Sequence, residues 1–153
     1  MTRPKTGSTP RSLVDRLGVE PGMSVAMIGV TDASLVTVIR QRAGTVTIVE
    51  PPRRVSPTHE VPPLPGLGAH RDLVFFQAES AETLALFPRL VSALEPHGSL
   101  WVLWPKGRRE LGQSAVTAAG LSAGVVDVKA MSVSDRLSAL EFVYRPRDRH
   151  GRR

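Results

Sequence analysis

Pro21-Gly22-Met23-Ser24-Val25-Ala26-Met27-Ile28-Gly29-Val30-Thr31-Asp32-Ala33 is the stretch whose reading decides the fold. Pro21-Gly22 is turn chemistry. The run Ser24 to Val30 is apolar on both faces, as a strand in the middle of a parallel sheet must be when helices cover both sides. A helix is predicted from Ala33 to about Arg42, with Leu35, Val36 and Ile39 facing inward and Gly44 just past its end. Strand, glycine turn and helix together open a βαβ unit.

Downstream the alternation continues. Thr45-Val46-Thr47-Ile48-Val49 is rich in β-branched residues and reads as a second strand, ended by Glu50 and forbidden to continue by Pro51-Pro52. Residues 51–70 hold six prolines and the glycines 66 and 68, and show neither helical nor strand periodicity. A structureless loop of that length is uncommon inside a compact domain and tends to be functional. Asp72 to Gln77 is the next strand. Ser80 to Leu94 is helical, with Leu84, Phe87, Leu90, Val91 and Leu94 on one stripe, and Pro88 breaks or kinks it. Pro96-His97-Gly98 reads as a turn. Ser99 to Trp104 reads as a strand closed by Pro105, and Lys106-Gly107-Arg108-Arg109 as a basic loop. A helix is expected from Glu110 to Leu121, followed by Gly124. Val125–Met131 and Ser138–Tyr144 form a final antiparallel pair.

Upstream, Ser12 is positioned to cap a short helix bearing Leu13, Val14 and Leu17 on its buried side, stopped by Gly18. Residues 1–10 read as a disordered basic arm, residues 11–145 as a single domain and residues 146–153 as a basic tail.

The net charge of the 153-residue chain is +6. It is concentrated at the ends: Arg3, Lys5 and Arg11 at one, and Arg145, Arg147, Arg149, Arg152 and Arg153 against Asp148 at the other, with a nearly balanced body between. Such tails either hold phosphate backbones by counterion release or are simply solvated. The chain has no cysteine, which excludes disulfides, a thiolate nucleophile and cysteine-ligated metal. That composition fits a reducing, cytoplasmic setting. No apolar run approaches the roughly 20 residues of a membrane span, so no membrane partner is expected, and the amino terminus carries no secretory pattern.

Several segments resemble known sequences. Leu17 to Gly29 is similar to the entry of class I S-adenosylmethionine-dependent methyltransferases, which runs from leucine through Pro-Gly into a valine-rich strand and a glycine-rich loop. Leu94-Glu95-Pro96-His97-Gly98-Ser99-Leu100 resembles that family's Leu-x-Pro-Gly-Gly-x-Leu turn. Asp72-Leu73-Val74 resembles its strand start, and the closing β-β pair its antiparallel end. The likeness covers about residues 12–145. Trp104-Pro105-Lys106 and Gly124 to Lys129 further resemble a small bacterial family of unknown function with a reduced version of this plan. The fold these likenesses imply is a three-layer, Rossmann-like (class I methyltransferase-like) α/β domain, with a mostly parallel sheet and an antiparallel C-terminal β-β pair.

The chain also departs from the family. Where working methyltransferases carry an acid and then Gly-x-Gly-x-Gly, it has Met27-Ile28-Gly29-Val30-Thr31-Asp32-Ala33, keeping one glycine. Those glycines serve left-handed backbone and close approach to ligand, so the side chains that replace them are expected to strain the turn and to fill the space a nucleoside needs. The Pro-rich loop stands where the family has its second helix, third strand and third helix. From this erosion a non-catalytic module binding an unidentified protein or small-molecule ligand is expected, with no cofactor. A divergent methyltransferase using S-adenosylmethionine (SAM) is the alternative. A nucleic-acid-associated protein acting through its tails is a third reading. Whether the chain is an enzyme stays open, leaning to none.

Candidate cofactor-contacting residues are Gly29, Val30, Thr31 and Asp32 at the first turn, and Glu50, which stands where the family's acid binds ribose hydroxyls. Thr31 or Asp32 alternatively caps the following helix. Lys106, Arg108 and Arg109 form either an anion site ahead of a helix or a solvated loop. Trp101 and Trp104, an odd separation apart, face opposite sides of their strand and read as core, with Trp104 alternatively stacking on a base or partner. His59, His70, His97 and His150 show no metal-ligand spacing, so no metal is expected, and no catalytic residue is assigned.

Overall fold

The computed structural model describes residues 12–52 and 63–145. The two basic tails, and with them the nucleic-acid reading, lie outside the described residues, as does half of the proline segment.

One six-stranded sheet organises the chain. Its strands are β1 (Val25–Ile28), β2 (Val46–Val49), β3 (Arg71–Gln77), β4 (Leu94–Pro105), β5 (Val125–Ser132) and β6 (Leu137–Tyr144), in the spatial order β2-β1-β3-β4-β6-β5. The pairs β1–β2, β1–β3 and β3–β4 are parallel, whereas β6 runs antiparallel to both β4 and β5. The expected mixed sheet with a closing antiparallel pair is therefore what forms. Helices α1 (Leu13–Leu17) and α2 (Ala33–Ala43) cover one face. Helix α3 (Phe87–Ser92), the 3₁₀ turn Ala81–Leu86 before it and α4 (Gln113–Ser122) cover the other.

The period-2 rule sorts the core into two halves. Val25, Met27, Leu73, Phe75, Trp101 and Leu103 pack under α1 and α2 with Leu35 and Ile39. Ala26, Ile28, Val74, Phe76, Val102 and Trp104 pack under α3 and α4 with Phe87, Leu90 and Val116. Both tryptophans are thus core and on opposite faces. Trp101 satisfies its indole N–H on the Leu17 carbonyl at 3.0 Å, tying β4 to the end of α1. Tyr144 likewise donates to the Val91 carbonyl at 2.6 Å, tying β6 to α3.

The structure corrects five boundaries. Strand β1 ends at Ile28 because Gly29, at φ +69°, turns the chain out of the sheet. The 80–94 stretch is a 3₁₀ turn followed by a separate helix whose first turn holds Pro88, a position where its missing N–H costs nothing. Leu94 therefore lies in β4, although it is buried as expected. Pro96-His97-Gly98 is no free turn but part of β4: the register passes from Arg71 beside Leu94 to Leu73 beside Ser99, so β4 bulges here. Gly98 is required there, since a Cβ would lie 2.8 Å from the Arg71 carbonyl oxygen. Finally, α4 starts at Gln113 instead of Glu110, after Leu111 is buried and Gly112 serves as N-cap.

The second half of the proline segment is packed. Leu64 and Leu67 are buried in the same cluster as Ala26, Ile28 and Val49. Arg71 fastens this stretch by donating to the carbonyls of Leu67 (2.8 Å) and Gly66 (3.2 Å) and to Ser24 Oγ (3.2 Å). Two leucines thus cover sheet that the resemblance would assign to a helix. Among the described residues no helix is long and apolar enough to cross a membrane.

Candidate functional site

In an open parallel sheet, ligands bind beyond the carboxyl ends of the strands, where consecutive crossovers leave toward opposite faces. That point lies between β1, whose crossover helix α2 covers one face, and β3, whose crossover through α3 covers the other.

Register puts Ile28 beside Val49 on one flank of β1 and beside Phe76 on the other. Gly29, Glu50 and Gln77 are the next residues along these three strands and meet at one edge. Gln77 is 6% exposed, and its side-chain amide spans the switch point. Oε1 accepts from the Thr31 N–H at 3.2 Å, while Nε2 donates to Thr31 Oγ1 at 3.1 Å and to the Glu79 carboxylate at 2.5 Å. The turn after β1 is therefore pinned to β3. Asp32 accepts from the Leu35 N–H at 3.1 Å and caps α2.

Two crevices flank this tie. A cavity of about 540 Å³ opens between the ends of β1 and β2, lined by Met27, Gly29, Thr31, Ile48, Glu50 and Glu79 among others. A second of about 370 Å³ lies toward β4 and the β5–β6 turn, with Thr31, Asp32, Gln77, Glu79, Pro105 and Arg136 in its walls. Both volumes are in the range of small-molecule sites. Every sequence-derived candidate of the first turn except Asp32 therefore borders the larger crevice, in company with Glu50. Asp32 borders the other.

Two expectations about this turn need revision. Losing glycines was expected to strain the turn, yet among its residues only Gly29 is left-handed; Val30, Thr31 and Asp32 have negative φ and no such strain. Side chains were expected to fill the nucleoside space, but the crevice beside Gly29 and Glu50 is open. Pro51 is part of its wall, with Cγ 3.4 Å from where a Gly29 Cβ would be.

The basic loop does not converge. Lys106 donates from Nζ to Ser132 Oγ at 2.6 Å, on β5. Arg108 donates to the Glu79 carbonyl at 2.8 Å, on the far side of the β4 end. Arg109 is exposed, and α4 starts beyond all three. Sequence reasoning missed Gln77, Glu79 and Arg136. A signal was available for the first: a polar residue closing the buried run Phe75-Phe76 at the ligand-binding edge. Among the described residues no cluster of three or more acidic or histidine side chains is arranged to hold a metal ion.

No protein-family model matches the chain, and no curated protein does. Solved structures do. A SAM-dependent methyltransferase from Aquifex aeolicus superposes with TM-score 0.63 at 15% identity, over 85% of this chain and 86% of that one. A ribosomal protein L11 methylase from Lactobacillus delbrueckii subsp. bulgaricus gives 0.63 at 16% identity, over 87% and 75%. Magnesium protoporphyrin IX methyltransferase from Synechocystis PCC 6803, with bound SAM, gives 0.61 at 18% identity, over 87% and 74%. At these identities the likeness is one of architecture, and the chain has the class I methyltransferase-like fold.

Proposed function

We propose that this chain is a divergent SAM-dependent methyltransferase whose nucleoside site is the crevice between the ends of β1 and β2. The observation that carries this reading is the open space of about 540 Å³ beside Gly29 and Glu50. The non-catalytic reading assumed that this space was filled, and without that assumption it loses its main support.

The residues present suit the group. Glu50 is exposed at the mouth, an acceptor for a pair of ribose hydroxyls. Ile48, half exposed, and Met27 provide apolar wall for a flat base. Gly29 keeps backbone without a side chain at the closest approach. When bound, SAM supplies a methyl group on a sulfonium centre, activated without help from the protein. The chain's own task is then to hold donor and acceptor in line, which is worth much of the barrier in two-reactant chemistry. Gln77 serves that end by fixing the 29–32 turn to β3. Thr31 and Glu79, which border both crevices, stand where the two ligands would meet.

Calorimetric titration tests the reading. S-adenosylhomocysteine should bind saturably in the micromolar range, and Glu50→Ala should weaken it tenfold or more, equivalent to about 1.4 kcal/mol or above. Absence of saturable heat, or a Glu50→Ala variant that binds like the parent, overturns it.

A further inference from the structure

A third cavity, of about 320 Å³, lies over α1 and α2 and has mostly apolar walls: Leu13, Val14, Leu35, Val38 and Val133. It shares Asp32 and Ser134 with the polar crevice described above. The two are therefore neighbouring compartments, one polar and one apolar, with a common boundary. Val38 is 36% exposed, an apolar side chain that α2 presents outward beside this groove.

The wall of the polar compartment carries two carboxylates, Asp32 and Glu79, and one guanidinium, Arg136. Of the acids in its wall, Asp32 is already engaged as the α2 cap. Glu79 is engaged by the Gln77 amide and lies 4.0 Å from the Arg108 guanidinium. Arg136 differs: among the described residues its guanidinium has no partner, and only its backbone is bonded. The turn that carries it is well built. Ser134 Oγ accepts from the N–H groups of Arg136 (3.1 Å) and Leu137 (3.2 Å), and Val133 N–H donates to the Leu137 carbonyl at 2.9 Å. A fixed turn thus holds an uncommitted cation at the polar end of an apolar groove.

We propose that these two compartments form one site for an amphiphilic carboxylic acid, its carboxylate paired with Arg136 and its hydrocarbon arm lying along Val38, Leu35, Leu13 and Val133. A guanidinium matches a carboxylate in charge and bidentate geometry, and a groove of aliphatic side chains favours a flexible chain by simple burial of apolar surface. The inference deepens the proposed function, and rests on it only in making this molecule the methyl acceptor: its head would sit beside Thr31 and Glu79, the residues that also border the nucleoside crevice. There a carboxylate oxygen would form the new O–CH3 bond as the S–CH3 bond of the sulfonium breaks, giving a methyl ester and the neutral thioether S-adenosylhomocysteine with no proton to move.

Titration of the full chain with octanoate, acetate and octyltrimethylammonium tests it, with S-adenosylhomocysteine titrated in parallel. Octanoate should saturate at least tenfold more tightly than acetate, which lacks the arm, and than octyltrimethylammonium, which reverses the head charge. Arg136→Ala and Val38→Asp, both at exposed positions, should each weaken octanoate tenfold or more while leaving S-adenosylhomocysteine binding and the melting temperature near the parent values. Octanoate binding no tighter than acetate, or unchanged by Arg136→Ala, overturns the inference. Failure with octanoate while S-adenosylhomocysteine still binds removes this site alone. The reverse pattern removes the methyltransferase reading and leaves the site standing.

Discussion

Gln77 and Thr31 grip each other through two hydrogen bonds, one to the Thr31 backbone N–H and one to its hydroxyl, across the point where the sheet's crossovers diverge. The contact joins residues 46 positions apart and makes the turn after β1 part of the β3 edge. It also accounts for a polar side chain among buried neighbours, since a buried amide is tolerated only when bonded.

Replacing Gln77 with leucine keeps bulk but removes both bonds. Thr31 is exposed and its bond to Gln77 only partly buried, so water can take over the freed N–H, and a loss of about 0.5–1.5 kcal/mol is expected in urea unfolding. Under the proposed function S-adenosylhomocysteine binding weakens as well, because the turn is no longer held. Gln77→Leu with unchanged stability would show the tie to be incidental.

Gly29→Ala isolates backbone conformation. At φ +69° a Cβ is strained, and its nearest neighbours, Pro51 Cγ at 3.4 Å and the Gln77 carbonyl oxygen at 3.5 Å, leave little slack. A destabilisation of about 1–2 kcal/mol is expected by denaturant titration, together with weaker nucleoside binding. Thr31→Gly, by contrast, relieves no left-handed strain, because Thr31 has none, and should give no gain in stability.

Gly120 is a packing glycine. An added Cβ would overlap the Phe142 ring, which already meets Phe87 edge-on at 5.1 Å between centroids. Neither ring has free space, so Gly120→Ala should destabilise by about 1–3 kcal/mol despite its better helix propensity. Stabilisation, as at an ordinary helix glycine, would contradict this packing.

Asp15 gives the pH test. The Arg42 side chain, hydrogen-bonded at 2.9 Å, is the main cause holding its carboxyl below the ordinary value, helped by Ser12. A carboxyl with a lowered pKa contributes stability above its unfolded value and loses it as pH falls through the folded one. Asp15→Asn should therefore melt below the parent at neutral pH, with the difference shrinking on acidification. The gap should be small, since the pair is partly exposed. A gap that widens toward low pH would reverse the assignment.

The fold was legible in the sequence because its central strands are buried on both faces and read as unbroken apolar runs. Val25 to Ile28 and Leu73 to Phe76 admit little else, and Leu35 and Ile39 mark the helix between strands. Boundaries were less legible where a single tertiary contact decides them. The β4 bulge at Gly98 depends on a carbonyl of β3, and the start of α4 on the burial of Leu111. Glu50 and the first turn were identified as one edge because strand order alone brings them together. Gln77, Glu79 and Arg136 were not, because their importance depends on which strand ends become neighbours. The openness of the crevice was misjudged for a physical reason. Counting glycines assumes that each lost glycine is a left-handed position, and this turn needs only one.

The central claim is that the crevice beside Gly29 and Glu50 receives the adenosyl group. Backbone amide chemical shifts of the labelled chain, recorded while S-adenosylhomocysteine is added, test it most directly. The account predicts saturable shifts centred on Gly29, Thr31, Ile48 and Glu50, with β5 and the far end of the sheet quiet. Shifts that never saturate, or that cluster away from these residues, would contradict it.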